Sequence, residues 1–371
     1  MVVIHAAIRT QMVSLAFWLG ERGCRRASAS MYSLVAALES NEANARYYEA
    51  QALTRKGRIE DAIECVRSVL ELVPDFARGH YDLGLLFQQM DRDAEAIESI
   101  DRALGLCVNV PDWHAARGFS LLRLERYVDA EQSLRRAIRH DERLAPAWFN
   151  LGLALTRLDR FEEAIDAYRS ALALEPDAAA SINMAELLEA CERFAEAEQA
   201  AREGLSHEPN EPTLTAIVGL ALHRQGKTAD ALTLLRKTMA RHPWDMDVGA
   251  RLTEVLVDAG EHHEAIATAQ GLRASVGGCA AHAILAWAHL EAGRPDLALE
   301  PIESAVAGEP GDALLGAHVN GLRGRVLAAL GRHDEARHIF SALERDWPQM
   351  FVPGSDMRKY ADLIPTAMDR R

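Results

Sequence analysis

Histidine, cysteine and carboxylate side chains are plentiful in this chain, and their spacing decides whether they can do chemistry. Among fourteen histidines, His263-Glu264 opens a zinc-binding helix motif but lacks its second histidine. His262-His263 falls in a turn between helical segments, His282 and His289 are seven residues apart, and His333 and His338 are five apart. A metal pair on one helix face needs an i, i+4 step, so these read as surface or packing histidines, with no metal and no cofactor expected. Five cysteines, Cys24, Cys65, Cys107, Cys191 and Cys279, contain no C-x-x-C pair. An odd, scattered set suits a reducing, cytoplasmic compartment better than a disulfide framework or zinc ribbon. The chain has neither a G-x-S-x-G elbow nor a phosphate-binding glycine loop, and carboxylate pairs such as Glu162-Glu163 read as a solvated face. No catalytic residue is assigned and no enzyme activity is expected.

A formal net charge of -14 argues against a general binder of nucleic acid or anionic membrane, because phosphate contacts need clustered lysine and arginine. Hydrophobic residues make up 49% of the chain but aromatic ones only 6%, which points to a core of alanine and leucine between closely packed helices.

The elements that would position any binding residues are clearest in the stretch 145–178. Trp148, Leu151, Gly152 and Leu155 fall on one face of a helix over Ala145–Leu158, and Asp159-Arg160 interrupts it. Phe161, Ala164, Ile165, Tyr168, Ala171 and Leu172 do the same for Phe161–Leu174, and Pro176 stops it. One hairpin cannot bury both stripes, so the unit must stack on copies of itself. The copies are present. Ala62, Ala96, Ala130, Ala164, Ala197, Ala231, Ala265, Ala298 and Ala336 recur at steps of 34, 34, 34, 33, 34, 34, 33 and 38 residues. The matching place on each first helix holds Ala50, Gly84, Gly118, Gly152, Ala185, Gly219, Thr253, Ala286 and Gly324. Small residues at both places let the two helices of a hairpin cross closely.

Trp148, Leu151-Gly152, Leu155, Phe161, Ala164, Tyr168, Ala171-Leu172 and Pro176 occupy signature positions of the tetratricopeptide repeat, which this stretch closely resembles. The resemblance implies an all-α fold, an α-solenoid in which helical hairpins form a right-handed superhelix. Carried backwards, the frame makes residues 1–42 a degenerate, capping repeat. A nine-repeat array follows over 43–350, continuous because no linker interrupts it, and 351–371 form a capping helix and tail. The run Met12–Leu19 could imitate a signal peptide, but Glu21, Arg22, Arg25 and Arg26 oppose export, and it is too short to span a membrane. The 38-residue step predicts a longer lead into the last repeat, starting near Asp312. Met357, Tyr360 and Leu363 predict the terminal helix.

In the family the first helices line a concave groove through repeat positions 2, 5, 6, 9, 12 and 13. On this chain those positions give Tyr47, Arg55, Tyr81, Gln88, Gln89, Phe119, Arg123, Phe149, Asn150, Arg157, Asn183 and Arg224 as the expected peptide-binding residues. Arg55, Arg123, Arg157 and Arg224 share position 13 and would form a ladder. Asn150 and Asn183 share position 6, which resembles the asparagine ladder of protein O-glycosyltransferase solenoids. Later repeats present Glu186, Glu189, Arg251, Glu254, Asp258 and Glu291, so the lining turns acidic. The expected function is a non-catalytic scaffold or adaptor that holds a protein partner or extended peptide. The alternative is a targeting or substrate-selecting subunit of a transferase- or hydroxylase-type partner enzyme. Phe17 and Trp18 mark the N-terminal repeat as the place for any self-association.

Overall fold

The computed structural model describes residues 2–39, 41–308 and 313–351. Among them there are twenty α-helices, a 3-10 turn at Pro348–Phe351 and no strand. The helices fall into two compact units, 1–176 and 177–371. Each is an α-solenoid of helical hairpins.

In the first unit, α1 (Val2–Glu21) pairs with α2 (Arg25–Leu38), and α3 (Glu42–Arg55) with α4 (Ile59–Leu72). Next come α5 (Ala77–Gln89) with α6 (Asp93–Leu106), α7 (Pro111–Arg123) with α8 (Tyr127–His140), and α9 (Ala145–Arg157) with α10 (Phe161–Leu174). Helix α1 starts ahead of residue 9, where the repeat frame begins. The second unit holds α11 (Ala178–Ala190) with α12 (Phe194–His207), α13 (Pro212–Arg224) with α14 (Thr228–Arg241), and α15 (Met246–Asp258) with α16 (His262–Ser275). It continues with α17 (Gly278–Glu291) and α18 (Pro295–Ala307), then α19 (Ala313–Ala329) and α20 (His333–Asp346). Helix α19 has 17 residues where the first helices from α3 to α17 have 13 or 14, so it absorbs part of the longer last step. Asp312 and the expected helix around Met357, Tyr360 and Leu363 lie outside the described residues.

One turn design closes the hairpins. In the third hairpin Asp91 takes φ 56°, and the Arg92 N–H donates back to the Phe87 carbonyl at 2.9 Å. This is the left-handed cap that ends a helix by satisfying its last carbonyls. Glycine takes that place in most hairpins, but Asp91, Glu125, Asp159 and Glu192 take it in four consecutive ones. The arginine just after the turn then reaches an acid three residues on, as in Arg92–Glu95 at 2.5 Å and Arg160–Glu163 at 2.7 Å.

Packing explains the nine-alanine ladder. All nine are 0% exposed. A Cβ added at Gly84 would lie 2.6 Å from Ile100, one at Gly118 2.5 Å from Leu134, and one at Gly152 2.6 Å from Tyr168. Gly219 against Leu235 and Gly324 against Phe340 repeat this at 2.5 and 2.8 Å. Where the first helix carries Ala185 or Thr253 instead, the corresponding second-helix residue shrinks to Ala201 or Ala269. In these hairpins the two positions share one volume, whereas Ala50 and Ala286 correspond to Val66 and Ile302. Fully burying a leucine- or isoleucine-sized side chain there contributes roughly 1.5–3 kcal/mol.

Candidate functional site

The first helices of unit 1 carry ten of the expected binding residues, and hydrogen bonds sort them into two sets. Tyr47 of α3 donates its hydroxyl to Asp82 Oδ2 of α5 at 2.6 Å, and Gln51 Nε2 donates to the same oxygen at 3.1 Å. Arg78 Nε donates to Asp82 Oδ1 at 2.9 Å. Burial pushes the Asp82 carboxyl above the usual carboxylate range against the pull of these partners. Burial, then the Asp82 charge, pushes the Tyr47 phenol up strongly. Tyr81 stacks on Trp113 of α7, ring centroids 5.3 Å apart, and burial pushes its phenol up to about 12. Gln88 donates to the Ala116 carbonyl and to Ser120 Oγ, both at 2.8 Å. Arg123 pairs with Asp91 at 2.5 Å and with buried Asp93 at 3.1 Å. Phe149 packs at a tilt on Tyr168 with centroids 6.0 Å apart. All these side chains join neighbouring helices.

The second set keeps its polar or apolar ends unspent. Phe119 on α7 is 39% exposed, with the Arg123 guanidinium 5.8 Å from its ring centre. Asn150 and Arg157 on α9 and Gln89 on α5 have no hydrogen-bond or ion-pair partner among the described residues, and Arg157 and Gln89 are exposed. Arg55 forms no ion pair among the described residues either, but its guanidinium lies against Gly20 of α1. The position-13 arginines of this unit therefore differ in state. Arg123 is neutralised, Arg55 is covered and Arg157 is free.

In unit 2 the first-helix surface closes on itself. Arg251 of α15 reaches Glu189 of α11 at 2.6 Å and Glu186 at 3.6 Å. Burial pushes both carboxyls above the usual range, although Arg251 draws them down. Arg224 of α13 pairs with Glu254 and, at 3.4 Å, with Asp258, which also meets His223 Nε2 at 3.1 Å. Arg325 holds Glu291 at 2.6 Å. Asn183 donates its amide to the Ala179 carbonyl of its own helix at 2.7 Å. No group of three or more metal-ligating side chains occurs among the described residues, and no described helix is long and apolar enough to cross a membrane.

Sequence models of the tetratricopeptide repeat match residues 50–91, 77–107, 145–177, 182–243 and 222–288, and 280–300 together with 317–339. These spans cover more than half of the chain. The chain belongs to the tetratricopeptide repeat family. As such it is a protein-interaction scaffold. A tetratricopeptide repeat protein from Parabacteroides merdae shares the fold over 77% of this chain and 99% of its own, with TM-score 0.53 and 13% identity. MamA from Desulfovibrio magneticus RS-1 covers 46% of this chain and 98% of its own, at 19% identity and TM-score 0.44. Pseudomonas aeruginosa pilF covers 56% and 95%, at 19% identity and TM-score 0.48. No curated protein matches the sequence.

The tetratricopeptide register also carries residues that sequence reasoning passed over. Asp82, the hub of the α3–α5 network, stands at position 6, the place of Asn150 and Asn183, and a search confined to asparagine misses it. Gln51 at position 9 and Arg78 at position 2 complete that hub. Asp91 and Asp93, which neutralise Arg123, lie in and just after a turn. The R-x-x-D/E pattern that follows six of the turns, at Arg58, Arg92, Arg126, Arg160, Arg193 and Arg332, is readable in the sequence, but it names local pairs rather than the partner of a side chain one repeat away.

Proposed function

We propose that the first-helix face of unit 1 holds an extended partner segment that presents an apolar side chain beside a carboxylate. Phe119, Asn150 and Arg157 carry this reading: they stay uncommitted on α7 and α9 while their neighbours are tied into inter-helix bonds. The register supports grouping them. Gln51 at position 9 bonds Asp82 at position 6 of the next repeat, and the same step takes Phe119 to Asn150. Phe119 would cover the apolar side chain, Asn150 would bond the segment's backbone, and Arg157 would pair with its carboxylate. A charge-assisted hydrogen bond of that kind contributes roughly 1.5–3 kcal/mol. Tyr47, Gln88 and Arg123 act in this reading by fixing the helices that carry the three.

The test is selection of displayed random peptides on the full chain, then on the Phe119→Ala, Asn150→Ala, Arg157→Ala triple variant. Enriched sequences should pair an apolar residue with Asp or Glu, lose affinity for the triple variant, and weaken with salt as exposed charge pairs do. Arg135→Ala and Arg169→Ala, on second helices, should leave binding unchanged. Peptides that bind the triple variant as tightly as the native chain would refute the assignment.

A further inference from the structure

A second surface of unit 1 lies on the other side of the hairpins. A cleft of about 660 Å³ opens between α4 and α6, both second helices of 14 residues, with α5 beneath. Leu83 and Phe87 of α5 line it, Leu70 comes from α4 and Leu106 from α6. Leu106 is itself 42% exposed.

Gly105 sets this cleft apart. Gly20, Gly79, Gly84, Gly118 and Gly152, the other glycines within helices of this unit, each have a neighbour within 3.0 Å of where a Cβ would stand. Against Gly79, Gly84, Gly118 and Gly152 the neighbour is a packed apolar or aromatic side chain, whereas at Gly20 it is the flexible end of Arg55. A Cβ at Gly105 meets nothing within 4 Å. Glycine is the poorest helix former after proline, yet it occupies the last turn of α6 with no contact inside the chain that needs it. It lines the cleft and leaves the α6 backbone open to close approach from outside.

The charges at the rim indicate what approaches. Glu95 is held by Arg92 at 2.5 Å and Glu98 by Arg102 at 2.8 Å, while the Arg67 guanidinium lies 5.6 Å from the centre of the Phe87 ring. Glu71 on α4 and Asp75 in the turn after it form no ion pair among the described residues. Glu71 and Asp75 therefore outnumber Arg67, the cation of the lining that also lacks a carboxylate partner among the described residues, and exposed Leu106 stands across from them.

We infer that this cleft docks an amphipathic helix of a partner protein, its apolar stripe over Leu70 and Leu106 and its lysines or arginines facing Glu71 and Asp75. A third helix laid between two parallel ones packs ridge into groove, and a glycine in the wall lets the backbones come close. The 14-residue walls set its length at about four turns, some 21 Å. The site is separate from the first-helix face, so either assignment can fail without the other.

Displayed peptides of about four helical turns, selected on the full chain, supply the probe. The enriched set should show apolar residues at helical spacing flanked by Lys or Arg. Its binding should fall about tenfold or more on Gly105→Trp, which fills the cleft, and on Glu71→Lys with Asp75→Lys, which reverses the rim. Leu106→Lys, at an exposed position, serves if Gly105→Trp alters the helical spectrum. The Phe119, Asn150 and Arg157 triple variant should bind the set unchanged. Absence of a basic amphipathic family, or equal binding to the native, Gly105→Trp and Leu106→Lys proteins, overturns the inference.

Discussion

Gly152→Ala tests the hairpin crossing with a single methyl group. The new Cβ would stand 2.6, 2.7 and 2.8 Å from Cε1, Cδ1 and Cζ of Tyr168, closer than side-chain carbons pack. That ring is fully buried, so relief requires its packed neighbours, Phe149 among them, to shift. Alanine is the better helix former by about 1 kcal/mol, whereas overpacking a tight core costs about 1–3 kcal/mol. The net expectation in the native background is a loss of about 1 kcal/mol, and Gly152→Leu should lose more. Tyr168→Ala alone removes a buried ring and should cost about 3–5 kcal/mol. With the ring gone, the same Gly152→Ala change retains only its helical gain and should stabilise by up to about 1 kcal/mol. The two sites are then coupled by about 2 kcal/mol in a double-mutant cycle. The chain already carries such a small pair at Ala185 and Ala201. Urea unfolding of the four proteins, followed by circular dichroism, measures the cycle, and the first transition is the one to compare because repeat arrays need not unfold in one step. If Gly152→Ala stabilises both backgrounds alike, the crossing does not depend on these two residues sharing a volume.

Three further outcomes follow from the same geometry. Glu125→Gly and Glu192→Gly place glycine where the chain holds φ near 58° and should each raise stability by about 1 kcal/mol in thermal melts. Burial lowers the His114 pKa in the folded chain, so its contribution to stability is intact above the ordinary histidine value near 6.5 and is lost as pH falls toward the folded value. His114→Trp, which keeps a ring N–H at the place where Trp148 bonds the Glu142 carbonyl, should flatten that part of a melting-versus-pH curve, by at most about 1.4 kcal/mol per pH unit. Arg123→Ala strands the buried Asp93 carboxylate and should lower the melting midpoint clearly, whereas Arg157→Ala should leave it in place.

Periodicity made the fold legible. Small residues at a fixed step gave both helices of each hairpin, and the nine alanines are all fully buried because a helix crossing cannot be negotiated with a larger group. The site was legible only as a register. The spacing put Arg55, Arg123, Arg157 and Arg224 in one phase, but phase says nothing about which carboxylates come within reach of each. Asp91 and Asp93 claim Arg123 from across a turn, and Glu254 and Asp258 claim Arg224 from the next repeat. Likewise Glu189 and Arg251, 62 residues apart, meet because α11 and α15 lie on either side of α13. Such pairs depend on side-chain reach between helices, which no pattern within one repeat encodes. The open cleft at Gly105 escaped for the complementary reason: a glycine without a packing role looks, in sequence, like one with it.

The claim that the first-helix face of unit 1 is the binding surface is tested most directly by photocrosslinking. A photoreactive phenylalanine analogue at position 119, and in a second protein at position 135 on α8, is irradiated with the selected apolar-acidic peptide bound, and the product is mapped by mass spectrometry. The account predicts a peptide adduct from position 119, abolished by excess unlabelled peptide, and none from position 135. An adduct from position 135 and none from position 119 would place the ligand on the second-helix side and contradict it.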